Sequence, residues 1–154
     1  ALALIAQELR PQVIHQSGSA QIDALRANYQ RAGVEAELVP FIDDMASAFA
    51  NADLVVCRAG ASTVTEIAAL GVAALFVPLP SAVDDHQSRN ARFLVDQGGG
   101  WLLPQAELSA DRLAQFFQQA TRESLLACAA TARRCAKTDA TAQVVRACAE
   151  LVVS

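Results

Sequence analysis

Aromatic side chains make up only 5% of this 154-residue chain, and charged ones only 18%. Its core must therefore be built from Ala, Val, Leu and Ile. A solvated tail is excluded, because 53% of the residues are hydrophobic, which is ample apolar surface to bury. There is no basic surplus. Twelve Lys and Arg stand against sixteen Asp and Glu, a formal charge of −4, which argues against a nucleic-acid partner. No apolar run approaches the roughly 20 residues that cross a bilayer; the longest, such as residues 71–79, are of strand length. Residues 1–9 lack a basic leader and are interrupted by Gln7 and Glu8, so they do not form a signal peptide pattern. Cys57, Cys128, Cys135 and Cys148 make no CxxC pair, and the two histidines complete no zinc spacing. Buried, reduced thiols are the expectation, with no metal and no cofactor. The sole methionine is the internal Met45 and the chain opens on Ala1; we expect a piece of a longer protein that supplies a single domain.

What is present is an alternation of helical and strand-like periods. Helices are expected over residues 1–9, 20–32, 43–52, 62–70 and 85–97, with Gly33, Gly71 and Gly98-Gly99-Gly100 closing three of them. Apolar strands are expected over 12–15, 35–39, 53–57, 73–77 and 101–103. Beyond Pro104 the pattern is helical throughout, over 109–120, 122–136 and 139–152. Continuous apolar strands alternating with helices predict an α/β domain, a doubly wound parallel sheet covered on both faces, with a helical C-terminal segment.

In open parallel sheets ligands bind beyond the carboxyl ends of the strands. The segments expected there hold much of the chain's polar chemistry: His15-Gln16-Ser17-Gly18, Phe41-Ile42-Asp43-Asp44, Arg58 to Thr63, and Pro80 to Gln87. In the third, a strand leads through a small-residue turn into a helix. Free backbone N–H groups and the positive helix end suit an anion such as phosphate. Gly60 would allow close approach, Ser62 and Thr63 would add hydroxyls, and Glu66 would accept two hydrogen bonds from a vicinal diol. The alternative is a Ser62 N-cap with Glu66 supporting the helix start. Phe41 and Ile42 form either a platform for a flat base or a hydrophobic staple. Ser17-Gly18 makes a turn or meets phosphate, and His15 is structural. His86, Gln87 and Asn90 share a helix face and can hydrogen-bond sugar hydroxyls, or Asp84 or Asp85 simply caps that helix.

Taken in order, His15-Gln16-Ser17-Gly18, Phe41-Ile42-Asp43-Asp44-Met45, Cys57 to Glu66 and Asp85 to Ala91 closely resemble the C-terminal half of the MurG family over nearly the whole chain. These are the enzymes of bacterial cell-wall synthesis that transfer N-acetylglucosamine from its UDP derivative to lipid I, making lipid II. The resemblance implies the C-terminal domain of a GT-B glycosyltransferase, a Rossmann-like domain that binds UDP-N-acetylglucosamine. By that resemblance Ser17 contacts the phosphates, and Ile42 reads uracil through its backbone with Phe41 nearby. Arg58 and Gly60, Ala61, Ser62 and Thr63 form the turn at the diphosphate and sugar. Arg58 stabilises the charge of the transition state, Glu66 holds the ribose, and His86 with Gln87 meets the N-acetylglucosamine. Family members often carry two glutamines at that last pair.

The family's domain begins with a strand and a glycine-rich loop ahead of the stretch matched here, so the chain is expected to lack that first strand. The lipid I site and the membrane-association surface belong to the family's N-terminal domain. A fragment inactive by itself is therefore expected. The implied location is the cytoplasmic face of the bacterial inner membrane, with roles in cell shape and division. Rival readings are another GT-B UDP-sugar enzyme (a different glycosyltransferase or an epimerase), a non-catalytic nucleotide-binding module, and a dinucleotide dehydrogenase. No GxGxxG follows a strand, which disfavours the last, and no Asp-x-Asp pair offers a metal site.

Overall fold

The computed structural model describes residues 1–80 and 85–152, the last of these by its backbone alone. Five short strands, β1 (Ile14–Gln16), β2 (Glu37–Val39), β3 (Val55–Cys57), β4 (Ala74–Phe76) and β5 (Trp101–Leu102), alternate with α1 (Ile22–Ala32), α2 (Met45–Ala50), α3 (Ala61–Leu70) and α4 (His86–Val95). Three helices follow: α5 (Ala110–Gln119), α6 (Arg122–Arg134) and α7 (Ala140–Val152). All strand pairs are parallel, with Ile14 opposite Glu37, Val55 opposite Ala74 and Leu75 opposite Trp101.

The strands form two ladders, β1-β2 and β3-β4-β5. In the usual doubly wound order, the second and third strands lie on one side of the first and the fourth to sixth on the other. The two ladders match those flanks. Among the described residues no strand joins β1 to β3.

The core lies around the three-stranded ladder. Residues 72–78 are all buried, and Phe76, Leu75, Ile67 and Leu94 are the largest side chains wholly removed from solvent. Each contributes about 1.5–3 kcal/mol by burial. α3 brings Val64, Ile67 and Ala68 onto this ladder and packs against α2, α4 and α6. The expected two-sided cover does not extend to β1, whose three residues are exposed; α1 buries none of its own.

Residues 1–9 correct the expected helix. They form two single turns of 3-10 helix, Leu2–Leu4 and Gln7–Leu9. Only Ile5 between them is buried, and the first turn leans on α5.

Two glycines are fixed by space. Gly71 ends α3 in the left-handed conformation, φ 69°, and a Cβ there would lie 2.9 Å from the Arg133 Cβ. At Gly100 a Cβ would lie 2.8 Å from the Phe76 ring and 3.3 Å from the Ala74 carbonyl. Because that ring is fully buried and cannot yield, Gly100→Ala is expected to cost about 1–3 kcal/mol, read as a lower urea midpoint. An unchanged midpoint would mean the ladder and ring are looser than their packing indicates.

The thiols also depart from expectation. All four are free, but only Cys128 is fully buried; Cys57 and Cys135 are half-buried and Cys148 is exposed on α7. Burial pushes the Cys57 thiol up to about 12. A disulfide reagent at mildly alkaline pH should therefore label Cys148 first, and Cys57 and Cys128 only on unfolding.

Candidate functional site

The polar segments expected at the carboxyl ends of the strands lie there as far as they are described: 15–18 at the end of β1, 41–44 beyond β2, 58–63 beyond β3, and Pro80 with 85–87 beyond β4. Beyond β1, the Ser17 N–H donates to the Val39 carbonyl at 3.3 Å, tying this segment to the end of β2. The Ser17 hydroxyl donates to the Gly18 carbonyl at 3.2 Å, and Gly18 takes φ 79°. The His15 Nδ1 lies 3.0 Å from the Tyr29 hydroxyl, and the two rings meet edge-on. Burial lowers its pKa and raises that of Tyr29.

Beyond β2, Phe41 is 64% exposed. It makes no hydrophobic staple, because the N-cap is Asp44 and α2 begins only at Met45. The Asp44 carboxylate accepts from the Ser47 N–H at 2.9 Å, and hydrogen bonding by Ser47 holds its pKa below the usual carboxylate value. With α2 capped by its own side chain, Phe41 and the half-buried Ile42 remain outside it on the surface.

Beyond β3, the N-cap of α3 is Gly60, φ −62°, ψ 149°, with no side-chain cap. The alternative of a Ser62 N-cap is thereby removed, since Ser62 stands inside the helix. α2, α5 and α6 are capped by Asp44, Ser109 and Thr121, whereas α1 and α4, like α3, have no side-chain cap. The first N–H groups of α3, at Ala61, Ser62 and Thr63, have no partner within the helix, and they begin where the sheet ends. Thr63 is half-buried, while Ser62 and Glu66 are exposed. A Cβ at Gly60 would meet only the Thr63 hydroxyl, at 3.7 Å.

Arg58 is placed differently from expectation. Its guanidinium donates to the Val77 and Pro78 carbonyls at 3.0 and 3.2 Å, so its contacts run to the end of β4. Asn90 likewise donates its side-chain N–H to the Ala59 carbonyl at 3.1 Å. The Gln87 Oε1 accepts from the Leu79 N–H at 2.9 Å and the Ala59 N–H at 3.4 Å. Asp85 sits at the N-cap of α4 with φ 53° but does not cap it; its carboxylate accepts from the Ser88 hydroxyl. His86 is exposed at the first helical position. Asp84 lies outside the described residues, as do 81–83 of the segment expected here.

Two bonded groups thus form, Ser17 with the end of β2, and Arg58 and Ala59 with the end of β4 and with α4. The Ala59, Val77, Pro78 and Leu79 backbone groups that join the second group are not legible in sequence. Among the described residues no cluster of three His, Cys, Asp or Glu is placed to hold a metal, and no helix is long and apolar enough to cross a membrane.

A helix N-terminus led by glycine at the carboxyl edge of a parallel α/β sheet is a setting suited to an anion. The glycosyltransferase family 28 C-terminal domain matches residues 2–146, and the chain belongs to that family. It is 67% identical over 151 residues to the UDP-N-acetylglucosamine--N-acetylmuramyl-(pentapeptide) pyrophosphoryl-undecaprenol N-acetylglucosamine transferase of Polaromonas sp. (strain JS666), covering 98% of this chain and 39% of that one. The transferase of the same name from Paracidovorax citrulli is also 67% identical, with 98% and 42% covered. Among solved structures, the crystal structure of Acinetobacter baumannii MurG superposes with a TM-score of 0.83 at 46% identity, over 88% of this chain and 42% of that one. The chain thus spans about two fifths of the length of the curated relatives it matches.

Proposed function

We propose that this chain is the UDP-N-acetylglucosamine-binding half of an inverting glycosyltransferase acting on N-acetylmuramyl-(pentapeptide) pyrophosphoryl-undecaprenol in peptidoglycan synthesis. The observation that carries the reading is the open N-terminus of α3 at the carboxyl edge of the sheet, led by Gly60 and without a side-chain cap. The diphosphate meets the N–H groups of Ala61, Ser62 and Thr63, and Ser17 approaches it from β1. Uracil lies against Phe41 with its edge read by the Ile42 backbone, and Glu66 accepts both ribose hydroxyls. Gln87, with its oxygen already engaged, donates through Nε2 to a sugar hydroxyl beside His86.

Inversion from an α to a β linkage is achieved by one in-line displacement. The acceptor oxygen forms its bond to the anomeric carbon as the bond to the UDP oxygen breaks, and the electron pair leaves with UDP. Negative charge grows on the β-phosphate, where the α3 N-terminus supplies about half a positive charge and preformed donors. Loss of one such donor typically costs on the order of 10²–10³ in rate. Arg58 acts from the neighbouring strand end, where its guanidinium braces the Val77 and Pro78 carbonyls. The lipid acceptor, the group that takes its proton, and the peripheral contact with the cytoplasmic face of the membrane belong to other parts of a complete enzyme.

The test places this chain in the Polaromonas relative, in exchange for its matching segment. Transfer of N-acetylglucosamine from UDP-N-acetylglucosamine to the lipid acceptor, with UDP-glucose a much poorer donor, is expected. A folded chimera that transfers nothing, or that binds UDP regardless of the sugar, would remove the reading.

A further inference from the structure

Ala59 is wholly buried, yet it stands just beyond the last ladder position of β3, where sheet hydrogen bonding has ended. A buried backbone N–H and carbonyl must find partners. Both are supplied by one face of α4: Gln87 Oε1 accepts from the N–H at 3.4 Å, and the Asn90 amide donates to the carbonyl at 3.1 Å. The end of β4 poses the same requirement. Val77 and Pro78 are buried, and their carbonyls accept from Arg58 at 3.0 and 3.2 Å. The next N–H, that of Leu79, reaches the same Gln87 oxygen at 2.9 Å. Each strand end is therefore held by a side chain rooted in the other's connection: Arg58 reaches from β3 to β4, and Gln87 and Asn90 reach from the helix after β4 back to β3.

We propose that Arg58, Gln87 and Asn90 form a reciprocal latch that fixes the Gly60–Thr63 turn relative to α4, and that Asn90 is a positioning residue rather than a ligand of the sugar. Gly60 follows Ala59 directly, so any displacement of Ala59 moves the first N–H groups of α3. The latch rests on the donor-site reading above for its consequence, though its bonds do not depend on any ligand.

The two roles for Asn90 differ in what they do to different ligands. A sugar ligand, once removed, weakens UDP-N-acetylglucosamine and spares UDP. A latch residue misplaces the diphosphate turn, which both ligands share. In the chimeric enzyme, Asn90→Ala is therefore expected to weaken both by the same factor, roughly five- to tenfold for one hydrogen bond. A loss confined to UDP-N-acetylglucosamine, or no loss, would overturn the proposal. Arg58→Ala should cost the same factor at low and high salt, because a brace to carbonyls is not screened as a phosphate contact is; a loss that fades with salt would make Arg58 a direct ligand of phosphate.

Hydrogen exchange supplies a readout that needs no ligand. The Ala59 and Leu79 amides should be protected in the folded wild type and released at least about tenfold by Gln87→Ala. Random-coil exchange at both in the wild type would show that no latch exists. If the wild type binds no UDP, the donor-site reading fails, while this exchange experiment still decides the latch.

Discussion

Glu66→Ala is expected to weaken UDP binding by about two orders of magnitude while leaving the chain as stable as before. The side chain is exposed on α3, one turn beyond the open N-terminus, so truncation creates no cavity, and alanine is the stronger helix former. A carboxylate accepting from two neighbouring hydroxyls contributes about 1.5–3 kcal/mol per charged hydrogen bond. Two such bonds, partly replaced by water, come to roughly a hundredfold. Titration calorimetry with the chimeric enzyme measures it. The same bonds can be cut from the ligand side: 2′-deoxy-UDP should bind the wild type at least about tenfold more weakly than UDP, and Glu66→Ala should barely distinguish the two. A variant that still discriminates between them would place the ribose elsewhere.

The main features of the fold could be read from sequence because its signals are local. Gly33 and Gly71 close α1 and α3 in the left-handed conformation, and Ser109 and Thr121 stand as N-caps ahead of α5 and α6. The apolar run around Ala74–Phe76 is the buried centre of the three-stranded ladder. Residues 1–9 misled because their apolar spacing suits a helix, yet a nine-residue helix is marginal without a face to pack on, and only Ile5 finds one. The exposure of β1 was hidden for a related reason: Ile14 looks like a core residue in the chain but is 56% exposed. Whether an apolar strand is covered depends on its neighbours in the sheet, which a local pattern does not contain.

The site divides in the same way. That small residues after β3 open a helix at the sheet edge was visible in the order strand, turn, helix. That Ser62 is not the cap was not visible, since Gly60 and Ser62 both suit a helix start and backbone conformation decides between them. The partners of Arg58 and Asn90 lie 19 to 31 residues away along the chain and are backbone atoms. Side-chain identity therefore predicts a donor but not its target. The resemblance assigned Arg58, and the shared helix face Asn90, to the neighbourhood of a ligand; the hydrogen bonds show that part of their donor capacity is committed to backbone carbonyls.

Gly60→Asp sets stability against binding most sharply, with opposite signs expected for the two. Glycine is not demanded at this position by conformation, since φ −62° suits any residue, nor by space, since a Cβ would touch only the Thr63 hydroxyl at 3.7 Å. An aspartate there becomes the side-chain cap that α3 now lacks. It can accept from the second or third N–H of the helix, it places a negative charge on the positive end of the dipole, and it reduces the freedom of the unfolded chain. Together these raise stability by about 0.5–1.5 kcal/mol, visible as a higher unfolding temperature. The same carboxylate occupies the donors offered to the diphosphate and adds like-charge repulsion, so UDP affinity should fall by at least about a hundredfold. Gly60→Ala separates the two effects: it leaves the N–H groups open, keeps the fold, and lowers affinity less. A Gly60→Asp protein that is more stable and still binds UDP normally would show that the diphosphate does not sit on α3. A less stable one would show that the helix start is not open as described. Only an anion site at an uncapped helix predicts the gain and the loss together, because the cap that would stabilise the helix and the ligand that uses it compete for the same N–H groups.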